Sequence, residues 1–279
     1  MSKKVIFVGG TARSGSTMLD MILSNDPLGY SLGEINAIFR PYRKHHFREI
    51  KKLRSDNIWS NILKRGERNL YDNLFIIFNN INYFVDSSKD ILWINKQLQY
   101  LLKKNIDTKN ILIYKTPQEL AVSFAKRGRL DKLEYGIESY YKKYLYYVHD
   151  FRSIAYKQLI QEPDALKKLC DYLGIQYFPD KLKYWEKVHH SFFGSDSVMN
   201  QKNLYYIKPD NQELIKIGNK IEEKYKDIFE YIYSKNILLE QKDMKYHTTK
   251  TYIRKKLIYT KTKYLSNKFK AQIEYLIDK

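Results

Sequence analysis

The chain has 279 residues, 43% of them hydrophobic, enough for one large domain or a domain with an appendage. Fifty Lys and Arg against thirty-one Asp and Glu leave a net charge of +19, which favours anionic partners. The basic residues are spread along the whole chain, so the charge does not single out nucleic acid. Cys170 is the only cysteine, which excludes an intrachain disulfide and suits a cytoplasmic setting, and the six His show no metal-ligand spacing, so no metal is expected.

The chain starts with Lys3 and Lys4, then an apolar run, then Arg13 and Asp20, which is not the pattern of a secretory signal. Val5, Ile6, Phe7 and Val8 form a short apolar run typical of a buried strand. Gly9 and Gly10 end it, and a small polar loop leads into Met18, Leu19, Met21, Ile22 and Leu23, which suit the buried side of a helix. A strand, a glycine-containing turn and a helix N-terminus form a geometry that binds anions, because unpaired N–H groups and the helix dipole converge there. Residues 10–17 read GTARSGST, one position away from the phosphate-binding pattern G-x-x-x-x-G-K-[ST]. Ser16 stands where that pattern has its lysine, and the cation is Arg13 inside the loop. This disfavours an ordinary ATPase or kinase. The plainer alternative is a βα turn that uses Ser and Gly only to cap a helix.

The segment TARSGSTML resembles the 5′-phosphosulfate loop of sulfotransferases that use 3′-phosphoadenosine 5′-phosphosulfate (PAPS). Their loop reads R-[ST]-G-[ST]-[ST], and residues 13–17 match it at every position. The resemblance, to the carbohydrate and bacterial types of that family, implies that Arg13, Ser14, Gly15, Ser16 and Thr17 hold the donor.

Asp26-Pro27-Leu28-Gly29 reads as a turn and residues 30–32 as a second strand, followed by Gly33 and Glu34. A carboxylate at a strand end can face the same cleft as the loop, and the resemblance implies that Glu34 is the catalytic base. The competing reading is a glutamate favoured by a helix N-terminus. Residues 40–80 read as helices, and Arg40, Arg43, Lys44, Arg48, Lys51, Lys52 and Arg54 concentrate positive charge there. Such a run is commonly a solvated face. The family places acceptor-binding helices in this region, which makes an anionic acceptor, such as an anionic carbohydrate, the second reading. The apolar run 74–85 is broken by three Asn and is too short to span a bilayer.

Residues 82–90, NYFVDSSKD, read as a strand ending in a polar turn. Asp86 could serve a kinase as metal ligand, yet D-S-S-K also resembles a bacterial sulfotransferase motif. That resemblance implies Lys89 for charge stabilisation, Ser88 beside the transferring group, and Asp86 as the holder of the turn. A helix over 91–104, a buried strand over 111–114 and a helix over 118–127 follow. Lys115, at the strand end, and Ser123, eight residues on, have the spacing of the family's 3′-phosphate site. The family has Arg within R-D-P, whereas this chain has K-T-P, and lysine lacks the bidentate contact. Arg127 and Arg129 are candidates to compensate.

Residues 131–150 read as a Tyr-rich helix, 152–159 as a strand and 163–173 as an amphipathic helix ending at Gly174. The layout YKQLIQEPDALKKLCDYLGI resembles the family's Y-E-D-L…L-C-x-[FY]-L-G segment and places Leu166, Leu169, Cys170 and Leu173 in the core. Residues 189–195 resemble the loop that covers the adenosine, with the usual G-N replaced by Gly194-Ser195. A final helix is predicted over 214–237. The basic tail shows an approximate helical stripe that suits packing on the domain or a second subunit, and alternatively peripheral contact with acidic lipid heads.

The expected fold is α/β: a P-loop-like parallel sheet flanked by helices over residues 1–240, with a helical C-terminal extension over 241–279. The expected reaction is sulfuryl transfer from PAPS to a hydroxyl, without a metal. The rivals are a P-loop kinase built on Asp86 and a non-catalytic module that binds anionic polymers.

Overall fold

Strand β1 (Lys4–Gly9) is buried along its whole length. Its alternation sends Val5 and Phe7 into one hydrophobic cluster and Ile6 and Val8 into a second, one on each face. A strand apolar on both faces belongs inside a parallel sheet covered on both sides, and that is its place here. The structure, a computed structural model, describes residues 3–200 and 202–239. The expected C-terminal extension over 241–279 lies outside the described residues.

Helix α1 (Ser16–Ser24) leads from β1 to β2 (Gly29–Gly33). A helical stretch follows: α2 (Asn36–Phe39), α3 (Lys44–Ser55), α4 (Asn57–Arg65) and α5 (Leu70–Ile77). Strand β3 (Tyr83–Asp86), α6 (Ile91–Leu102), β4 (Asp107–Tyr114), α7 (Pro117–Ala125) and α8 (Leu133–Tyr147) come next. The chain continues through β5 (Arg152–Ala155), α9 (Tyr156–Gln161), α10 (Ala165–Leu173), α11 (Asp196–Met199), α12 (Gln212–Lys224) and α13 (Lys226–Ser234).

The five strands form one sheet in the order β2-β3-β1-β4-β5, and every pairing is parallel. The register sets Val5 beside Phe84 and Val8 beside Ile111. Helices α2–α8, α12 and α13 bury apolar residues against one face, and α1, α9 and α10 against the other. The sheet is thus the centre of a three-layer α/β fold, the fold class read from the sequence. No helix among the described residues is long and apolar enough to cross a membrane.

Two predicted elements differ. The strand expected over 152–159 stops at Ala155, and Tyr156 opens α9. Ala155 is the last residue with a ladder partner, Tyr114, because β4 ends there and the chain turns at Thr116 and Pro117. The helix expected over 214–237 is broken at Tyr225, whose φ of −116° and ψ of 30° are not helical. The break lets α12 lie close on α7, where a Cβ on Gly218 would stand 2.5 Å from the Gln118 Cα.

Buried charge also fixes the frame. Lys181 is fully buried, with its Nζ 3.2 Å from Asp26 Oδ2 and 3.4 Å from the Tyr83 hydroxyl. Removing one partner of such a pair leaves a buried charge uncompensated. Lys181→Ala is therefore expected to cost about 3–5 kcal/mol in urea unfolding, and a loss under about 1 kcal/mol, the value of an exposed pair, would contradict this account.

Candidate active site

Because all five strands are parallel, their C-terminal ends open on one edge, where α/β sheets bind ligands. The loop after β1, Glu34 after β2, Lys89 after β3, Lys115 after β4 and Tyr156 after β5 all line one cleft of about 650 Å³ there. Of the residues singled out from sequence, the cleft gathers Arg13, Gly15, Ser16, Thr17, Glu34, Lys89, Lys115 and Ser123.

The loop is built around Gly15, which caps α1 in a left-handed conformation (φ 102°) with no side-chain hydrogen bond to the helix. Among the described residues no side chain accepts from the first-turn N–H groups of α1, the condition for binding an anion. A Cβ at Gly15 would stand 2.5 Å from Cδ2 of Tyr156, so the turn tolerates no side chain. From below, Gly10 N–H donates to the Tyr140 hydroxyl at 2.8 Å, and the Tyr144 ring packs against Gly9. Two tyrosines of α8 thus support the loop from the core.

Four cations besides Lys89 line the same cleft: Arg13, Lys115, Lys126 and Arg127. Arg13 adopts a positive φ of 71°, and its Nε is 3.4 Å from the Ser123 Oγ. Desolvation, then the nearby Arg127, lowers the pKa of Arg13, although an arginine stays charged. Lys115 lies 4.0 Å from the centroid of the Tyr156 ring. Desolvation pushes its ammonium down to about 8, with Arg13 and Lys126 adding to the shift and Glu119 opposing it.

Glu34 and Lys89 form an ion pair in which Lys89 Nζ donates to Glu34 Oε1 at 2.7 Å. Among the described residues no protein donor reaches Glu34 Oε2. Lys89 is held at a φ of 59°, like Arg13 a non-glycine residue in the left-handed region, and such backbone strain gathers at functional sites. The Glu34 N–H donates to the Phe192 carbonyl at 2.7 Å, fixing the base of its side chain to the loop that closes the cleft.

Of the residues singled out from sequence, Ser14 and Ser88 lie outside the cleft lining. Ser14 is fully buried; its N–H donates to the Thr11 carbonyl and its Oγ lies against the Gly10 turn. Ser88 is also committed, since its Oγ accepts from Asn36 N–H at 3.1 Å and its N–H donates to Asp86 Oδ1 at 2.7 Å. Neither lines the cleft. Asp86, the residue on which a kinase reading rests, is fully buried. Its Oδ2 accepts from the Tyr71 hydroxyl at 2.6 Å and Trp93 Nε1 at 2.9 Å, while Oδ1 takes the Ser88 N–H. Both oxygens are consumed in holding the turn. Among the described residues no group of three His, Cys, Asp or Glu side chains is placed to hold a metal.

Arg127 lines the cleft and Arg129 does not. In the loop over residues 189–195, Gly194 and Ser195 reach the cleft, whereas His189 turns to the Tyr184 carbonyl and His190 stacks on Tyr30. Sequence reasoning missed Lys126, Tyr156 and Tyr205, which also line the cleft. The signal for Tyr156 was its place in YKQL, directly after a strand end.

Among solved structures, the chain matches the sulfotransferase domain from the Synechococcus PCC 7002 olefin synthase with a TM-score of 0.57 and 14% identity, over 78% of this chain and 94% of that one. It matches the sulfotransferase domain from the curacin biosynthetic pathway with a TM-score of 0.50 and 16% identity, over 92% and 98%. No family model and no curated protein sequence matches the chain. The likeness is one of fold: a parallel α/β sheet with a P-loop-like turn, similar to that of these two domains.

The lowered Lys115 pKa carries a testable sign. The ammonium is present below about 8 and lost above it, so affinity for a polyanion such as pyrophosphate is expected to fall as pH rises from 7 to 9. Titration calorimetry across that range measures it, and Lys115→Arg, charged throughout, is expected to flatten the profile. An equally steep profile in Lys115→Arg would assign the pH dependence to another group.

Proposed function

We propose that this protein is a sulfotransferase that moves a sulfuryl group from PAPS to a hydroxyl of a carbohydrate or other small acceptor. The observation that carries the reading is one cleft lined by three things: the uncapped α1 N-terminus with Arg13, the Glu34–Lys89 ion pair, and Lys115 together with Ser123.

The donor set fits such a nucleotide. Five cations (Arg13, Lys89, Lys115, Lys126 and Arg127) face three carboxylates (Glu34, Glu119 and Asp196) in the cleft, an excess that suits a ligand with separate anionic groups. Ser16 in place of the Walker lysine matches a terminal sulfate, which carries less charge than a terminal phosphate. When bound, the donor supplies an activated sulfuryl group on a phosphosulfate linkage. Arg13, Ser16, Thr17 and the first-turn N–H groups of α1 are assigned to its 5′ end, and Lys115, Ser123 and Arg127 to its 3′-phosphate. Glu34 takes the proton of the acceptor hydroxyl, with Oε2 as the receiving atom, a role worth about 10²–10⁴-fold when well placed. Lys89 fixes Glu34 through Oε1 and contributes positive charge beside the site of transfer. Loss of one such preorganised donor costs about 2.7–4 kcal/mol in the barrier. No role is assigned to a metal ion.

Glu34→Gln removes the proton acceptor and leaves the donor contacts in place. It is expected to lower kcat by about 10²-fold or more with donor affinity little changed, while Arg13→Ala weakens donor binding. Turnover surviving in Glu34→Gln would remove Glu34 from the role of base.

A further inference from the structure

A second cavity, of about 460 Å³, adjoins the donor cleft and shares Asp196 with it. One wall is helix α3, through His45, Arg48 and Lys52; the other is the loop that carries Phe192 and Phe193. Its volume falls in the range of small-molecule sites, about 300–1,000 Å³. The two cavities are mechanically tied at the proposed base. Gly33 and Phe192 form a parallel bridge, Glu34 N–H donates to the Phe192 carbonyl at 2.7 Å, and Phe192 N–H donates to the Leu32 carbonyl at 3.3 Å. The wall of the second cavity and the backbone of Glu34 are one hydrogen-bonded unit.

The wall is aromatic and is held in place at a cost. Phe193 has a φ of 57°, a conformation that a bulky side chain rarely adopts. Its ring lies 4.5 Å from the ring of His46 and 5.6 Å from that of His45, and Phe192 meets Trp59 edge to face at 4.6 Å. Strain of this kind persists where the surroundings over-determine it, and here it presents a ring to the cavity. Arg48 supplies the charge. Lys52 is paired with Glu49 at 3.3 Å, whereas among the described residues no carboxylate pairs with Arg48. The other lining carboxylate, Asp196, sits on the shared wall, beside a cleft with an excess of cations.

We propose that this cavity binds the acceptor, and that the acceptor is a hydroxyl on an aromatic ring whose other end carries an anionic group. The ring packs against Phe193, which the buried Phe192 backs, an arrangement aromatic pairs favour. The anion meets Arg48, whose planar fork matches a carboxylate or phosphate. This rests on the sulfotransferase reading: the acceptor oxygen forms the new S–O bond, the S–O bond to the donor's 5′-phosphate breaks, the bisphosphate leaves, and the proton goes to Glu34.

The test compares an acid with its isosteric amide: 4-hydroxyphenylacetate against 4-hydroxyphenylacetamide, by titration calorimetry on the full chain with adenosine 3′,5′-bisphosphate present. The melting shift caused by the bisphosphate alone is recorded as a separate readout. The acid is expected to bind at least tenfold more tightly than the amide, and Arg48→Gln to bring that ratio close to one. Equal binding of the two, no binding of either, or a ratio unchanged in Arg48→Gln, each with a normal bisphosphate shift, overturns the acceptor assignment and leaves the sulfotransferase reading standing. Absence of the bisphosphate shift brings down that reading, and the acceptor assignment with it.

Discussion

The open N-terminus of α1 is the feature on which the rest of the site depends. Gly15 in the left-handed region turns the chain into the helix without supplying a side-chain cap, so the first-turn amides keep their capacity for a ligand. That turn survives only because its surroundings fit it. Tyr156 closes against Gly15 from one side, and Tyr140 takes the Gly10 N–H from beneath. A sequence that placed a β-carbon at position 15 would lose both the turn and the anion site.

Electrostatics follows from the same geometry. The parallel sheet brings strand ends together, and with them Arg13, Lys89 and Lys115, charges far apart in sequence. Without an anion these cations lie close together; burial is the main cause of the lowered pKa values of Arg13 and Lys115, and neighbouring cations add this repulsion to it, Arg127 at Arg13, and Arg13 and Lys126 at Lys115. The protein holds this repulsion in its folded state, together with left-handed backbone at Arg13 and Lys89. A polyanionic ligand would relieve the charge, so binding and stability are coupled. Behind the site the carboxylates are neutralised differently. Burial pushes Asp20 up to about 7, and Ser87 Oγ donates to it at 2.6 Å; Asp86 is satisfied by Tyr71, Trp93 and Ser88. The buried carboxylates serve the scaffold, and Glu34 is the one lining carboxylate paired with the Lys89 cation.

Much of this was legible in the sequence because it is local. The apolar run of β1, the glycines after it and the hydrophobic side of α1 define a strand–turn–helix unit within twenty residues. Lys115 and Ser123 were singled out by their resemblance to a family motif, and one turn and a helix bring both to the cleft. What sequence hid is long-range. That Ser14 is buried beneath the Gly10 turn, and that Ser88 spends its groups on Asn36 and Asp86, depends on packing no short pattern encodes. The tyrosines of α8 carried no functional signal, yet two of them support the loop from 130 or more residues away. The end of β5 at Ala155 was misread because a strand stops where its neighbour does, and β4 turns away at Thr116.

The central claim is that the cleft holds a 3′-phosphorylated adenine nucleotide without help from a metal. The direct measurement is the melting temperature with adenosine 3′,5′-bisphosphate in EDTA, beside ATP with Mg²⁺. Ligand at 100 times Kd adds about 2.7 kcal/mol to the folded state, enough to move the midpoint by about 5 °C or more. The account requires that shift with the bisphosphate in EDTA; a shift with ATP and Mg²⁺ alone, or with neither, contradicts it.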